Sequence, residues 1–311
     1  MTIPHCQPAE WPRVIDSARF ASHIHAGLPV GCRIGLIGLP DDTGVELNGG
    51  RIGAEGGPRA FREALLRYGV QIPSGAAYPR VFDAGDVVPA EGRTEAALQE
   101  THRRVFEAVG ALLDLGLLPV GVGGGHDLTF PLVHAVANRG RPMTGVYFDA
   151  HLDVRERPGS GMAFRRLVED CGIRELHVFG MNELVNDQGH VSWFCANGGR
   201  VHEGLGTLGT CLDANGRPHH TVFASLDLDV IDAAHAPGVS APNPAGWTVV
   251  QAAVAARACG RSPAVRCFDL MELNPAQDEA GRTARLAAHL FLSFLRGFAE
   301  RSAASGGLHE D

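Results

Sequence analysis

The sequence predicts an α/β fold in which helices cover both faces of a mostly parallel sheet. Short β-rich runs alternate with longer amphipathic segments, which is the pattern of repeated strand–helix units. The 311 residues are 45% hydrophobic, enough to bury a substantial core. No repeat, long linker or low-complexity tract marks a boundary, so we expect one domain over residues 1–311.

The individual elements follow from local composition. Strands are predicted at 33–39, 80–84, 118–122, 144–148, 175–179, 221–226 and 265–270. A helix is predicted over 95–115, because Thr94 is a suitable N-cap and Gly116 a suitable stop. A second helix is predicted over the apolar segment 284–298. The small, polar tail at 302–311 is predicted to be disordered.

Composition excludes several classes of function. The net charge of -8 and the pI near 6.0 give no basic surface for nucleic acid. No apolar stretch approaches the ~20 residues that span a bilayer, and residues 1–13 lack a secretory signal. We therefore expect a soluble, cytoplasmic protein without a membrane partner. The seven cysteines have no paired metal spacing, and their odd number predicts reduced thiols rather than a disulfide framework.

Acidic side chains follow two of the predicted strands. Asp149, His151 and Asp153 come directly after the run 144–148, and Asp227 and Asp229 follow 221–226. Because side chains alternate along a strand, the members of each set are predicted to point the same way. Open α/β sheets place ligands at the carboxyl ends of their strands. Four clustered carboxylates repel one another unless cations neutralise them, so a metal site is predicted here.

A glycine-rich loop at 123–125 presents a further candidate ligand, His126. Three glycines let the backbone turn sharply and approach a metal site closely. A phosphate-binding turn is the alternative, but the loop lacks the Lys-Ser/Thr pair and the dinucleotide spacing. For the acidic residues the alternative is a set of turn residues and helix caps, which does not account for the period-two spacing. The candidate metal ligands are His126, Asp149, His151, Asp153, Asp227 and Asp229.

The ligand types predict the metal. Carboxylates and imidazoles without thiolate suit Mn²⁺, with Fe²⁺, Co²⁺ or Zn²⁺ less favoured and Ca²⁺ disfavoured by the histidines. Two such ions about 3.5 to 4 Å apart bridge a water and lower its pKa toward neutrality. We therefore expect two Mn²⁺ per subunit and a hydrolytic reaction. The spacing leaves the electrophile open among phosphoesters, peptides and amidines.

Three segments resemble the signatures of the ureohydrolase (arginase) family. They are Gly-Gly-Gly-His at 123–126, Asp-Ala-His-Leu-Asp at 149–153 and Ser-Leu-Asp-Leu-Asp-Val-Ile-Asp at 225–232. Segments 236–242 and 271–275 resemble later parts of the same pattern, so the resemblance covers nearly the whole chain. It implies a three-layer α/β/α fold with a mostly parallel sheet of about eight strands. It also implies a dinuclear Mn²⁺ centre, hydrolysis of a guanidino or amidino carbon, and a homo-oligomer, either trimer or hexamer.

The resemblance also implies roles for individual residues. All six candidate ligands hold metal in the family pattern, with His151 completing the coordination and Asp227 bridging or chelating. Glu272 matches the carboxylate that pairs with the cationic substrate head, whose planar donors suit a carboxylate. A metal-bridging hydroxide attacks the carbon, and Asp229 then delivers a proton to the leaving amine. Asp229, Glu272 and His151 are therefore the candidate catalytic residues.

The loop at 155–166 distinguishes subgroups of the family. Arginases and agmatinases carry a His-Gly element here, whereas this chain has Ser-Gly-Met-Ala-Phe-Arg from Ser160, which looks like the Ser-Gly-x-x-Phe-Arg of formimidoylglutamases. Segments 42–51 and 272–284 are similar to that subgroup as well. The resemblance therefore implies hydrolysis of N-formimidoyl-L-glutamate to L-glutamate and formamide, a step of histidine degradation.

Charge complementarity between protein and substrate bears on which substrate the chain binds. Formimidoylglutamate carries two carboxylates, and arginine binds carboxylates in a bidentate fork. Arg165 or Arg166 is a candidate for one carboxylate and Arg51 for the other, with solvated surface charges as the alternative. The candidate substrate-binding residues are Asn48, Arg51, Arg155, Ser160, Arg165, Arg166 and Glu272.

Two other functions stay open at this point. One is hydrolysis of another guanidino compound, such as arginine, agmatine or guanidinobutyrate, with release of urea. The other is a metal-binding interaction protein without catalytic activity. A decayed enzyme is expected to lose at least one metal ligand, and all six positions are present here.

Overall fold

A computed structural model describes residues 2–69, 77–213, 216–217 and 219–305. Within these residues ten strands form one sheet, in the order β1-β4-β3-β5-β10-β9-β6-β7-β8, with β2 beside β4. The strands are β1 (Cys6–Gln7), β2 (Ile24–His25), β3 (Ile34–Leu39), β4 (Val81–Val87), β5 (Leu118–Gly123), β6 (Met143–Phe148), β7 (Leu176–Phe179), β8 (Gly199–His202), β9 (Thr221–Asp227) and β10 (Val265–Met271). In the described chain β1 pairs antiparallel with β4, and the other neighbours are parallel.

Helices cover both faces of this sheet. They are α1 (Thr43–Leu47), α2 (Gly57–Leu65), α3 (Glu95–Asp114), α4 (Thr129–Ala137), α5 (Ala163–Cys171), α6 (Gln188–Ala196), α7 (Leu208–Leu212), α8 (Val249–Arg261) and α9 (Arg282–Ser305). Alternate residues of β3 enter different cores: Leu36 packs in the core with α2, α8 and α9, and Ile37 in the core with α3, α4 and α5. The predicted three-layer α/β/α fold is confirmed.

The seven predicted strands are all present, with ends that differ by up to three residues. The sheet has ten strands rather than about eight because it includes β1, β2 and β8. The first two are only two residues long, and the side chains of β8 are half-buried or exposed, so none of them has a strong apolar run. Within the described residues, no helix has the length and apolar character that crossing a membrane requires.

Both predicted helices are present, with one difference at the carboxyl end. Thr94 caps α3 by accepting a hydrogen bond from the backbone N–H of Ala97 at 3.2 Å. The last helix, α9, is longer than predicted and continues to Ser305. The expected disorder is therefore wrong for 302–305, where the chain continues the helix. Residues 306–311 lie outside the described part of the chain.

The sheet order brings four loops to one place. Strands β5, β10, β9 and β6 are adjacent and parallel, so their carboxyl ends meet at the same edge of the sheet. His126 follows β5, Glu272 follows β10, Asp227 ends β9 and Asp149 follows β6. This edge is where open α/β sheets bind ligands.

A buried ion-pair network fixes α2 to the sheet. The guanidinium of Arg62 on α2 donates two hydrogen bonds of 2.9 Å to the carboxylate of Asp83 on β4 and one of 2.6 Å to Asp86. The indole N–H of Trp11 donates to the same Asp83 carboxylate at 2.8 Å. The side chain of Asp83 is fully buried, so its charge depends on Arg62 for compensation.

We predict that Arg62→Ala lowers the free energy of unfolding by about 3–5 kcal/mol, because it leaves buried carboxylates without a counter-charge. Arg59→Ala is the matched control on the same helix. The ion pair of Arg59 with Glu63 is exposed, and its loss should cost less than about 1 kcal/mol. Urea denaturation measures both effects. Equal, small losses for the two variants would contradict the buried network's role.

Candidate metal centre

The structure brings all six predicted metal ligands together. One group consists of His126, Asp149, Asp153 and Asp227, and a second consists of Asp149, His151 and Asp229. In each group the ligand atoms lie within 4.8 Å of one another. Asp149 belongs to both groups, so the two clusters are adjacent and share a carboxylate.

The predicted geometric reason for this convergence is wrong. Strand β6 ends at Phe148, so Asp149 to Asp153 form a loop, and Asp153 has a left-handed backbone with φ of 48°. Asp229 lies in a 3-10 turn, Leu228–Val230, and its backbone N–H donates to the Asp227 carboxylate at 2.8 Å. Loop conformation and a local turn, not the alternation of strand faces, direct these side chains inward.

The first group surrounds one ring nitrogen with acidic oxygens. His126 Nδ1 lies 3.1 Å from Asp149 Oδ2, 3.0 Å from Asp153 Oδ2 and 3.1 Å from Asp227 Oδ2. One ring N–H cannot point at three oxygens, and both His126 Nδ1 and Asp149 Oδ2 are buried without a hydrogen-bond partner. A buried set of converging donor atoms of this kind fits a bound cation.

The second group is nearer to solvent. His151 Nδ1 lies 2.9 Å from Asp229 Oδ2 and 3.5 Å from Asp149 Oδ1, and the His151 side chain is 28% exposed. The two oxygens of Asp149 thus face different groups. Asp149 would therefore contribute to both metal sites, whereas the bridging role expected for Asp227 stays a prediction.

The carboxylates in this cluster are difficult to ionise together. Burial, with the charges of Asp153 and Asp229, raises the pKa of Asp149 to about 6. Burial also raises the pKa of Asp227 well above its usual value, and nearby Asp229 and Asp149 add to this effect. The cluster therefore needs positive charge at its centre.

The two histidines supply that charge when no metal is bound. Burial disfavours a charged His126, but its carboxylate neighbours outweigh this and raise its pKa well above the usual value. Burial also disfavours a charged His151, but Asp229 and Asp149 outweigh this effect and raise its pKa to about 12. Divalent cations would replace these protons and leave both imidazoles free to coordinate. Imidazole and carboxylate donors without thiolate fit Mn²⁺.

A buried hydrogen-bond chain orients His126. The hydroxyl of Ser225 donates to Asp269 Oδ1 at 2.5 Å and lies 2.9 Å from His126 Nε2. Because that hydroxyl proton goes to Asp269, the Ser225 oxygen accepts from His126 Nε2–H, and Nδ1 remains available for a metal. Asp269 was missed in the sequence, although a carboxylate inside the apolar run 265–270 is a signal for such a role.

Glu272 lies beside the ligand His126, with a left-handed backbone φ of 63°. Its carboxylate accepts the backbone N–H of His126 at 2.9 Å and the hydroxyl of Ser240 at 2.5 Å. Burial raises the pKa of Glu272 to about 8, although the hydrogen bond from Ser240 opposes this shift. A cationic ligand beside Glu272 would favour its ionised form.

A cavity of about 160 Å³ opens over the cluster. Its walls include four predicted substrate-binding residues, namely Asn48, Arg155, Ser160 and Glu272. Asn48 and Ser160 contact each other at 3.0 Å across the wall. The cavity therefore places the loop at 155–161 opposite the metal ligands.

Arg51 does not line this cavity and is a positioning residue instead. Its guanidinium donates to the carbonyls of Val239 at 2.6 Å and Ser240 at 3.0 Å, and to the side chain of Gln277 at 3.0 Å. The donors of Arg51 are therefore committed to the loop that carries Ser240, and its direct contact with substrate stays a prediction.

Arg165 and Arg166 do not line the cavity either, and their substrate contacts stay predictions. Both lie on α5 and pair with acidic residues one turn along the helix, Arg165 with Glu169 at 2.9 Å and Arg166 with Asp170 at 2.6 Å. The guanidinium of Arg165 also packs over Trp193. Helical periodicity turns the two arginines away from the cavity, whereas Arg155, before the helix, faces it.

Three further cavity residues were missed in the sequence. Asn186 binds the ligand loop by accepting from Leu152 N–H and donating to the Ala150 carbonyl, both at 2.9 Å. His190, at the start of α6, and Ser240 also line the cavity. Asn186 and His190 lie far from the acidic motifs along the chain, so no local pattern connects them to the site.

Comparison with known proteins agrees with this architecture. The model of the arginase family matches residues 32–296. The chain belongs to the arginase family. A formimidoylglutamase of Aromatoleum aromaticum is 34% identical, over 96% of this chain and 93% of that protein. The mitochondrial guanidino acid hydrolase of Homo sapiens is 31% identical, over 86% and 78%.

A solved structure has the same fold. The Trypanosoma cruzi formiminoglutamase, determined with Mn²⁺₂, superposes with a TM-score of 0.83 at 30% identity. The match covers 92% of this chain and 100% of that one. Residues 32–296 of this arginase-family chain include all six clustered ligands.

We predict that Asp149→Ala loses both bound Mn²⁺ ions, because Asp149 contributes to both ligand groups. Asp153→Ala should retain one ion, because Asp153 is not a member of the second ligand group, Asp149, His151 and Asp229. Asp170→Ala, at the surface beside Arg166, is the control and should bind as much metal as the unsubstituted chain. Elemental analysis after Mn²⁺ loading and gel filtration gives the stoichiometry. If Asp149→Ala still bound two Mn²⁺ ions, the proposal that both ions share the Asp149 carboxylate would be excluded.

Proposed function

We propose that this chain is a dinuclear manganese hydrolase that converts N-formimidoyl-L-glutamate and water to L-glutamate and formamide. The observation that carries the proposal is the six-residue metal cluster beneath a cavity walled by Glu272 and by the Arg155–Ser160 loop. Formimidoylglutamases that are 34% and 33% identical over most of this chain support the substrate. The proposal treats residues 1–311 as a single catalytic domain.

The proposed ligands of the two Mn²⁺ ions are His126, Asp149, His151, Asp153, Asp227 and Asp229. When bound, the ions supply a water nucleophile of lowered pKa at neutral pH. The protein holds the ligands in place through buried hydrogen bonds. Ser225 fixes the ring of His126, and Asn186 fixes the loop that carries three of the aspartate and histidine ligands.

Glu272 is proposed to bind the formimidoyl head. An ionised carboxylate has about four acceptor positions, and His126 N–H and the Ser240 hydroxyl occupy two of them. The remaining lone pairs accept N–H groups of the planar amidinium, whose positive charge favours ionised Glu272. This contact orients the electrophilic carbon over the ligands.

Asp229 is proposed to carry the proton in the reaction. Hydrolysis breaks the bond between the formimidoyl carbon and the glutamate nitrogen, so the leaving amine must gain a proton as the carbon gains oxygen. Asp229 lies at the cavity side of the cluster, and its carboxylate contacts His151 at 2.9 Å. The proton that the attacking water loses can thus pass to the amine through Asp229.

Arg155 is proposed to bind a carboxylate of the glutamate portion. It is exposed at the cavity wall, and no ion pair engages it within the described residues. Asn48 and Ser160 add neutral polar groups to the same wall. An arginine with free donors at the cavity mouth suits a dicarboxylate substrate better than an amine-bearing one such as agmatine.

Hydrolysis of another guanidino acid with release of urea is the second candidate. The similarity to the human mitochondrial guanidino acid hydrolase favours it, and a guanidinium offers Glu272 the same planar donors as an amidinium. A metal-binding interaction protein without turnover is the third candidate, of another class. The complete ligand set argues against it.

The proposal includes a cytoplasmic location and assembly as a homo-oligomer, trimer or hexamer, as the family resemblance implies. The substrate is a small amidino acid. Neither nucleic acid nor a membrane has a part in the proposed reaction.

We predict that the Mn²⁺-loaded protein releases formamide and glutamate from N-formimidoyl-L-glutamate. Arginine, agmatine and guanidinobutyrate should give no urea above a protein-free control. Chromatographic detection of formamide, glutamate and urea separates the three candidates. Urea from any guanidino compound without formamide would support the second candidate, and absence of all products would support the third.

We predict that Arg155→Ala raises KM by about tenfold or more, since a charge-assisted hydrogen bond contributes about 1.5–3 kcal/mol. The value of kcat should change little, because the carboxylate is bound equally in ground and transition states. Arg165→Ala is the matched control, since Arg165 pairs with Glu169 away from the cavity. Steady-state kinetics that show a higher KM for Arg165→Ala than for Arg155→Ala would refute the assignment.

A further inference from the structure

A second group of metal-type side chains lies away from the dinuclear centre. His177 on β7, His202 at the end of β8 and Cys211 on α7 each place one potential ligand atom within 4.8 Å of the others. His177 and Cys211 are buried, and His202 is half-buried. The group thus lies at the far edge of the sheet, under α7.

Hydrogen bonds determine which ring nitrogens face each other. His177 Nε2 lies 3.2 Å from a carboxylate oxygen of Glu175, to which it donates. His177 Nδ1 therefore carries a lone pair, and it faces His202 Nε2 at 2.9 Å. The other ring nitrogen of His202 contacts the Thr207 hydroxyl at 2.9 Å. The His177–His202 contact requires either a proton on His202 Nε2 or a cation between the rings.

We propose that His177 Nδ1, His202 Nε2 and Cys211 Sγ bind a Zn²⁺ ion. Two imidazoles and a thiolate are the donor set that zinc prefers, and they differ from the carboxylate-rich set of the dinuclear centre. A shared proton would explain the short contact between the two histidines, but it would not explain why Cys211 lies beside them. Half-exposed His202 leaves a path for the ion and for a solvent molecule as fourth ligand.

The two histidines require only a small adjustment. Zn–N distances near 2.0–2.1 Å in a tetrahedral site place two ligand nitrogens about 3.3 Å apart. The observed 2.9 Å between the histidines must widen by a few tenths of an ångström, and the half-buried ring of His202 has room to do so.

The surroundings support the first ligand and balance the charge. Glu175 orients His177 through one oxygen, and Arg217 donates to its other oxygen at 2.6 Å. Such a carboxylate partner is the usual support for a metal-binding histidine. Arg200 and Arg217 oppose an added cation, while Glu175 offsets them. Burial and the nearby Glu175 raise the pKa of Cys211, so the zinc ion would displace a thiol proton when it binds.

The ion would stabilise the edge of the sheet. Strand β8 buries little of its surface, whereas the short helix α7 packs Leu208 and Leu212 into the core. A metal bound by side chains from β7, β8 and α7 joins these three elements. The site would therefore be structural, and hydrolysis would proceed at the separate dinuclear centre.

Cobalt provides the direct test, because Co²⁺ bound to a thiolate gives a charge-transfer absorption that carboxylate and imidazole sites lack. Co²⁺ is titrated into the reduced, full-length, Mn²⁺-loaded protein. We expect the thiolate band in the unsubstituted chain and in Cys195→Ser, whose cysteine is exposed on α6, and its absence in Cys211→Ser. Added Zn²⁺ should remove the band. Absence of the band from the unsubstituted chain, or its persistence in Cys211→Ser, overturns the proposal.

His202→Gln provides a second test at a half-buried position, in case Cys211→Ser fails to fold. Its apparent Kd for Co²⁺ should rise at least about tenfold, since even supporting residues have effects of that size. Zn²⁺ should raise the Tm of the unsubstituted chain and leave that of His202→Gln unchanged. Equal Tm shifts in both proteins would mean that zinc acts elsewhere and would reject the site.

Discussion

The dense negative charge at the carboxyl edge of the sheet is the constraint on which the site depends. Asp149, Asp153, Asp227 and Asp229 lie within a few ångströms of one another, mostly out of contact with water. Such a cluster is stable only with a compensating positive charge, which protonated His126 and His151 or bound cations provide. The surrounding fold must hold mutually repelling groups in place, which explains the buried hydrogen bonds around them.

A continuous set of contacts extends this support to the surface. The guanidinium of Arg51 holds the carbonyls of Val239 and Ser240, and the Ser240 hydroxyl holds Glu272. Glu272 in turn accepts the backbone N–H of His126. An arginine outside the cavity thus helps to position a candidate metal ligand inside it.

The sequence was sufficient for the parts of the fold and site that have strong local patterns. Apolar runs located seven strands, and clustered acidic residues located the carboxyl edge where ligands converge. Sequence-based prediction failed where the position of a residue or strand depends on contacts with parts of the chain that are distant in sequence. Edge strand β8 has no apolar run to detect, and charge alone could not show that Arg155 lines the cavity whereas Arg165 and Arg166 do not. His190 reaches the cavity only through the packing of α6.

The position of Asp149 in both ligand groups has a consequence for metal occupancy. If Asp149 holds both ions, its carboxylate cannot respond to one ion without affecting the other. The two binding equilibria are therefore linked, and each ion changes the affinity for its neighbour by the same factor. If the protein is loaded with one metal and then with a different one, a mixed pair should form. The ratio of the two metals would then depend on the coupling between the sites and not only on the affinity of each site alone.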